Sequence, residues 1–143
     1  MAVAVIDSNI LIDYKDSGTD ARHKQAEAII YDFDSGDLPT ARVTDYVLLE
    51  SLNWIHTRQR HDIAVDLKNR LVESAGFELV DCVKKDLTKA LELFDTHESL
   101  SFGDATIAAY MQRKGIEYLY SFDDDFDSLD WITRLDTADN PFN

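Results

Sequence analysis

The 143-residue sequence predicts an α/β fold, a mostly parallel sheet flanked by helices. Three observations lead there. Apolar runs of strand length, AVAVI at 2–6, FELVDCV at 77–83 and IEYLYSF at 116–122, alternate with stretches whose apolar residues recur at helical spacing. Capping and breaking residues punctuate those stretches. Strict alternation of this kind favours parallel strands joined by right-handed crossovers.

The first unit is AVAVI followed by DSNILIDY, a strand and a short helix started by polar residues. Thr19 is expected to cap a helix carrying Ala26, Ile29, Ile30 and Phe33, which Ser35-Gly36 ends. Pro39 leads into an extended run, Thr40 to Val43, and Thr44 caps the next helix, with Val47, Leu48, Leu52 and Ile55 on its buried side. Asp62 is expected to cap a fourth helix, turning Ile63, Leu67 and Leu71 inward before Gly76. After the strand at 77–83, DLTKALELF predicts a helix with Leu87, Ala90, Leu91 and Phe94. Ser101 and Asp104 form a capping-box-like pair, and Gly115 sits where a helix end favours a left-handed residue. The strand at 116–122 runs into the acidic stretch DDDFDSLD, and a last short strand is expected near Trp131 to Leu135.

A chain of this length buries ~68% of its unfolded surface as one domain. Its 45% hydrophobic content and two prolines argue against disorder, and its single cysteine, Cys82, excludes an internal disulfide. No targeting or membrane-spanning segment is expected, because the N-terminal apolar run is too short for either, and the expected location is the cytoplasm. The net charge of −14 opposes nucleic-acid binding by bulk electrostatics and matches proteins that stay soluble in concentrated salt. Basic residues collect between Arg58 and Lys89, either as solvated helix faces or as a local track for a polyanion.

The topology directs four distant acids to one place. Asp7 and Asp123 each follow a strand, so both lie at the carboxyl edge of a parallel sheet, where ligands bind. Asp104 opens a helix that begins at that edge. Glu50 lies about six residues into its helix, ~9 Å along the axis, and leans back toward the rim. Converging carboxylates repel unless protonated or bound to a cation, and oxygen donors of this kind suit Mg2+ or Mn2+.

The VIDSN opening with Asp7 and Asn9, the helical Glu50, the LSFGDA segment around Asp104, and YSFDDDF around Ser121 and Asp123 resemble PIN-domain nucleases, especially VapC-like toxins of type II toxin-antitoxin pairs. The resemblance spans nearly the whole chain and implies one PIN-like nuclease domain over residues 1–143. It implies a metal-dependent endoribonuclease with Asp7, Glu50, Asp104 and Asp123 as its acidic quartet. Metal would fall to Asp7, Asp104 and Asp123, with Glu50 and Asp125 as further candidates and Asn9 and Ser121 as supporting polar groups. Where the family often has Thr-x-Asp-x-Asp-Phe, this chain has Ser121 in place of the threonine and keeps the hydroxyl. The resemblance also implies an RNA substrate, a homodimer and a cognate antitoxin.

Duller readings stand beside these. Asp7 and Asp104 also suit helix caps, Asn9 a turn, and Ser121 a nearby backbone group. Asp124, Asp127 and Asp130 are expected at the solvated surface, with Phe126 anchoring their loop. The four histidines show no paired ligand spacing, and Trp54 and Trp131 are expected in the core or a dimer interface. An RNA- or metal-binding protein without autonomous cleavage, or a PIN-type RNA-processing protein, is the alternative function. An aspartyl phosphoacceptor or phosphatase is a weaker one, since DSN lacks a D-x-D pair.

Overall fold

The computed structural model describes residues 2–142, apart from the side chain of Thr19. In chain order the elements are β1 (Ala4–Ile6), α1 (Ser8–Tyr14), α2 (Ala21–Ser35), β2 (Ala41–Thr44), α3 (Asp45–Arg58) and α4 (His61–Glu73). There follow β3 (Phe77–Val80), α5 (Lys84–Thr96), α6 (Phe102–Lys114), β4 (Tyr118–Tyr120) and β5 (Thr133–Leu135). Among the described residues the strands form one sheet in the order β3-β2-β1-β4-β5, and every pairing is parallel. Helices flank this sheet, as the alternation requires.

Order reverses beside β1, where the chain leaves toward β2 on one side and returns through β4 on the other. The crevice above β1 and β4 is therefore the switch point at which α/β sheets bind ligands. Ile6 pairs with Tyr120, so the residues after them, Asp7 and Ser121, emerge side by side.

Local chemistry fixes the helix ends. Thr44 Oγ1 accepts from Val47 N at 3.3 Å and Ser101 Oγ from Asp104 N at 3.1 Å, so both act as N-caps. Gly36 and Gly115, at φ of 90° and 66°, end α2 and α6 in the left-handed region. Ile6, Ile10, Ile29, Phe33, Val43, Ile55, Leu67, Ile107 and Leu119 lie in the buried core between sheet and helices.

Some expectations need correction. The strands are shorter than the apolar runs. Residues 81–83 leave the sheet because β3 pairs only with β2, whose last pair, Thr44 with Val80, coincides with the start of α3. Asp20 holds the N-cap of α2, and the cap assigned to the Thr19 side chain lies outside the described residues. Arg60 takes the N-cap of α4, while Asp62 sits in the first turn and accepts two hydrogen bonds from the Arg60 guanidinium.

Of the apolar residues that mark α5 in the sequence, Leu87, Leu91 and Phe94 are about half exposed at 48%, 53% and 47%, whereas Ala90 is buried together with Asp86 and Leu93. The helix has two apolar stripes, and the inward one contains an aspartate. Asp86 is tolerated there because the Arg113 guanidinium donates to both its oxygens, at 2.6 and 3.0 Å, and Val83 N donates at 3.0 Å. That pairing holds its carboxyl below the usual range despite burial.

Candidate active site

Asp7 is buried beneath the other candidate acids, 3% exposed, with both oxygens engaged. Oδ1 accepts from Ser8 N at 2.7 Å, while Oδ2 accepts from Ser121 Oγ at 2.7 Å and Asn9 Nδ2 at 3.3 Å. Burial pushes its pKa up to about 6, the hydrogen bonds from Ser121 and Ser8 pull it down, and the charges of Asp123 and Glu50 add to the rise.

Asn9 and Ser121 tie two loops together around this carboxylate. Asn9 Oδ1 accepts from Phe122 N at 3.2 Å, and Ser121 Oγ accepts from Asp123 N at 3.0 Å. Asp123 lies three residues beyond β4 rather than immediately after it, and its Oδ1 accepts from Asp125 N at 3.0 Å, capping a 3-10 turn over Asp124–Ser128. Phe126 is fully buried and anchors that turn, with Asp124, Asp127 and Asp130 exposed around it. Arg134 is paired with Asp127.

Glu50 reaches the rim of the sheet, as its place on α3 requires. Ser8 Oγ donates to Oε1, and Tyr46 Oη donates to Oε2 at 2.5 Å. Tyr46 can lie so close because Gly103 has no side chain: a Cβ there would stand 2.0 Å from the tyrosine ring. The glycine of LSFGDA is thus required by close approach.

Asp7, Glu50, Asp104, Asp123 and Asp125 all line one groove of about 410 Å³, with Ser8, Asn9, Tyr46 and Trp54. Carboxylate oxygens of Asp104, Asp123 and Asp125 come within 4.8 Å of one another. The expected quartet therefore converges, but the tightest trio includes Asp125 and leaves Asp7 behind it. Asp104 rises to about pKa 8, through burial first and then the charges of Asp7 and Asp123. Asp125 is also raised, chiefly by Asp123. Among the described residues, the ion pairs of Lys and Arg all involve other carboxylates.

Three partners were missed in the sequence: Ser8, Tyr46 and Trp54. Tyr46 and Trp54 stand four residues either side of Glu50, so the stripe through Glu50 was the signal available. His56 and His61 lie at the surface, as expected, and bring their Nδ1 atoms to 3.2 Å at the exposed end of α3.

The family model for the PIN domain matches residues 4–132. The chain belongs to the PIN-domain family. The structure of VapC20 from Mycobacterium tuberculosis, described as a sarcin-ricin loop cleaving toxin, is similar to this PIN domain at 25% identity and TM-score 0.76. That match covers 90% of this chain and 96% of the other. A toxin-antitoxin complex from Klebsiella pneumoniae matches at 19% identity and TM-score 0.63, over 96% and 98% of the two chains. VapBC-1 from nontypeable Haemophilus influenzae matches at 15% and 0.67, over 94% and 98%. At those identities the last two share the fold alone. No curated protein matches the sequence.

Proposed function

We propose that this PIN domain is a Mg2+- or Mn2+-dependent endoribonuclease and the toxin of a toxin-antitoxin pair. One observation carries the reading: oxygens of Asp104, Asp123 and Asp125 gather within 4.8 Å beside buried Asp7, at the sheet's switch point. A hard, oxygen-seeking dication fits this donor set and would relieve the repulsion that adds to the effect of burial on Asp104 and chiefly raises Asp125. Asp104 and Asp123 would hold it, with Asp125 and Asp7 as the further donors. The chemistry it supplies is charge neutralisation at the phosphate and easier ionisation of water.

The residues of the chain divide the remaining work. Glu50, fixed by Ser8 and Tyr46, orients the water that attacks phosphorus in line as the bond to the leaving oxygen breaks. Asp7, through Ser121, fixes the backbone of Asp123. Asn9 braces the loop by accepting from Phe122 N. A phosphoacceptor role suits Asp7 poorly, because both its oxygens are already hydrogen-bonded inside the fold.

Partners follow from the neighbours and the surface. Toxin-antitoxin complexes among the structural neighbours support a cognate antitoxin. The half-exposed Leu87, Leu91 and Phe94 of α5, with Val83 just before the helix and Leu49 nearby across an apolar groove, support a homodimer. No described helix is long and apolar enough to cross a membrane, which is compatible with the cytoplasm where RNA is met.

The test is RNA cleavage by purified protein with each metal, with EDTA, and in Asp7→Asn and Asp104→Asn. Cleavage should require metal and disappear in both variants. Undiminished cleavage in both would rule the assignment out.

A further inference from the structure

The acid-lined groove continues down α3 past Glu50. Tyr46, Glu50 and Trp54 all line it, spaced by four along one stripe of the helix, with Ile12 of α1 opposite. Arg58 is the next residue at that spacing and closes α3. Its guanidinium carbon lies 5.6 Å from the centroid of the Trp54 ring. Trp54 is half-buried, packed against the core while lining the groove, and Arg58 is exposed. The sequence suggested an ordinary core or interface tryptophan; the structure puts this one on the wall of the acidic groove.

Charge singles out the same spot. Arg60, two residues on from Arg58, is already committed, holding Asp62 at 2.8 and 2.6 Å, and Lys15 after α1 pairs with Asp66. Among the described residues Arg58 has no ion pair with a carboxylate, and its contact is the Trp54 ring. In a chain of net charge −14, a guanidinium without a carboxylate partner, one turn beyond the groove-lining Trp54, is a place for a phosphate to settle. A cation beside an aromatic ring also matches how sequence-tolerant sites hold single strands: bases stack on the π face while Arg or Lys takes the backbone.

Resting on the ribonuclease reading above, we propose that Trp54 and Arg58 form a nucleotide subsite for single-stranded RNA. Trp54 stacks the base of a nucleotide flanking the cleaved phosphodiester, and Arg58 takes an adjoining phosphate. The offset from Glu50 to Trp54 is one helical turn, ~6 Å, so the stacked nucleotide is a near neighbour of the reacting one. Stacking on Trp54 gives affinity without strong base preference. Sequence choice then lies elsewhere in the RNA's shape.

Fluorescence isolates the subsite. The chain has two tryptophans, and the Trp131 indole is occupied by a 3.0 Å hydrogen bond to Ala108 O, so Trp131→Phe leaves Trp54 as the sole indole. In that background with Asp7→Asn, an end-labelled single-stranded oligoribonucleotide is titrated in Mg2+, reading label anisotropy and Trp54 emission together. Saturable loss of emission in step with binding is expected. In active protein, Trp54→Ala should raise KM about 5- to 150-fold, the range that loss of one stacked base implies, with kcat changing far less. Trp54→Phe should recover most of that loss, and Arg58→Ala should reduce the salt dependence of binding by about one phosphate contact. An oligonucleotide that fails to bind, or binds without altering Trp54 emission, overturns the subsite, as does an unchanged KM in Trp54→Ala and Arg58→Ala. Absence of cleavage by the wild type defeats the ribonuclease reading instead, and the emission titration still decides the subsite.

Discussion

Ser121 Oγ donates to Asp7 Oδ2 at 2.7 Å, while the same oxygen accepts from Asp123 N at 3.0 Å. One hydroxyl on the residue after β4 thus joins a buried acid after β1 to the backbone of an acid in the next loop. Ser121→Ala removes both bonds, and with them the one accepted from Asn9 Nδ2 at 3.4 Å, at a fully buried residue, and should cost about 1–3 kcal/mol of stability. Ser121→Thr keeps the hydroxyl and should retain both stability and cleavage far better. Urea unfolding and RNA cleavage of the two variants check this, and equal losses would count against it.

Asp7 is predicted to oppose folding when no metal is present. A carboxyl whose pKa is higher in the folded state binds its proton more tightly there. Its contribution is best below the ordinary value of 3.8 and falls as pH rises through about 6 for Asp7 and about 8 for Asp104. Moving Asp7 alone from 3.8 to about 6 represents roughly 3 kcal/mol at pH 8. In EDTA, stability should therefore fall between pH 4 and pH 8, approximate limits given by these values. Asp7→Asn should raise stability at the alkaline end by about 1–2 kcal/mol, the gain being reduced because an amide nitrogen replaces one acceptor. The same variant should lose cleavage. A less stable Asp7→Asn protein at alkaline pH would show that the buried charge is not a burden.

Mg2+ or Mn2+ should raise the melting temperature, and more at pH 8 than at pH 5, because only ionised carboxylates attract it. Removing one of the three converging oxygens should show unequal effects. Asp104→Asn, within the groove, should abolish the metal-induced shift. Asp125→Asn, on the exposed side, should weaken it about tenfold or less in apparent affinity. Thermal scans across metal concentration give both results.

The apolar stripe of α5 is predicted to be the dimer surface. Replacing Leu87 and Leu91 by Lys puts charge on residues already about half exposed, so folding should change by less than about 1 kcal/mol. The sedimentation coefficient should drop to that of a monomer. A wild type that sediments as a monomer at all concentrations would end this reading.

The sheet was legible because β1, β3 and β4 lie within apolar runs that alternate with capped helices, and parallel order then directs Asp7, Asp104 and Asp123 to one edge. Glu50 was legible for another reason: a glutamate inside an apolar helix demands a partner. The two faces of α5 were not, since hydrophobicity alone cannot say that Asp86 will be neutralised by Arg113, 27 positions away. Nor could spacing show that Ser8 and Tyr46 grip Glu50, because both bonds depend on how α1, α3 and α6 approach in space. The run DDDFDSLD divided as composition allowed: Phe126 and Leu129 inside, Asp123 and Asp125 in the groove, and Asp124, Asp127, Ser128 and Asp130 in water.

Gly103 leaves room for a single phenol ring between α6 and α3, and Tyr46 occupies it. That ring works as a spacer. The closest approach of the two helices that carry Glu50 and Asp104 is limited by an uncharged ring, and the same ring's hydroxyl holds Glu50 Oε2. A methyl group at position 103 would widen the gap while leaving every acid in the sequence. The groove is therefore sensitive to volume at a residue that carries no chemistry of its own.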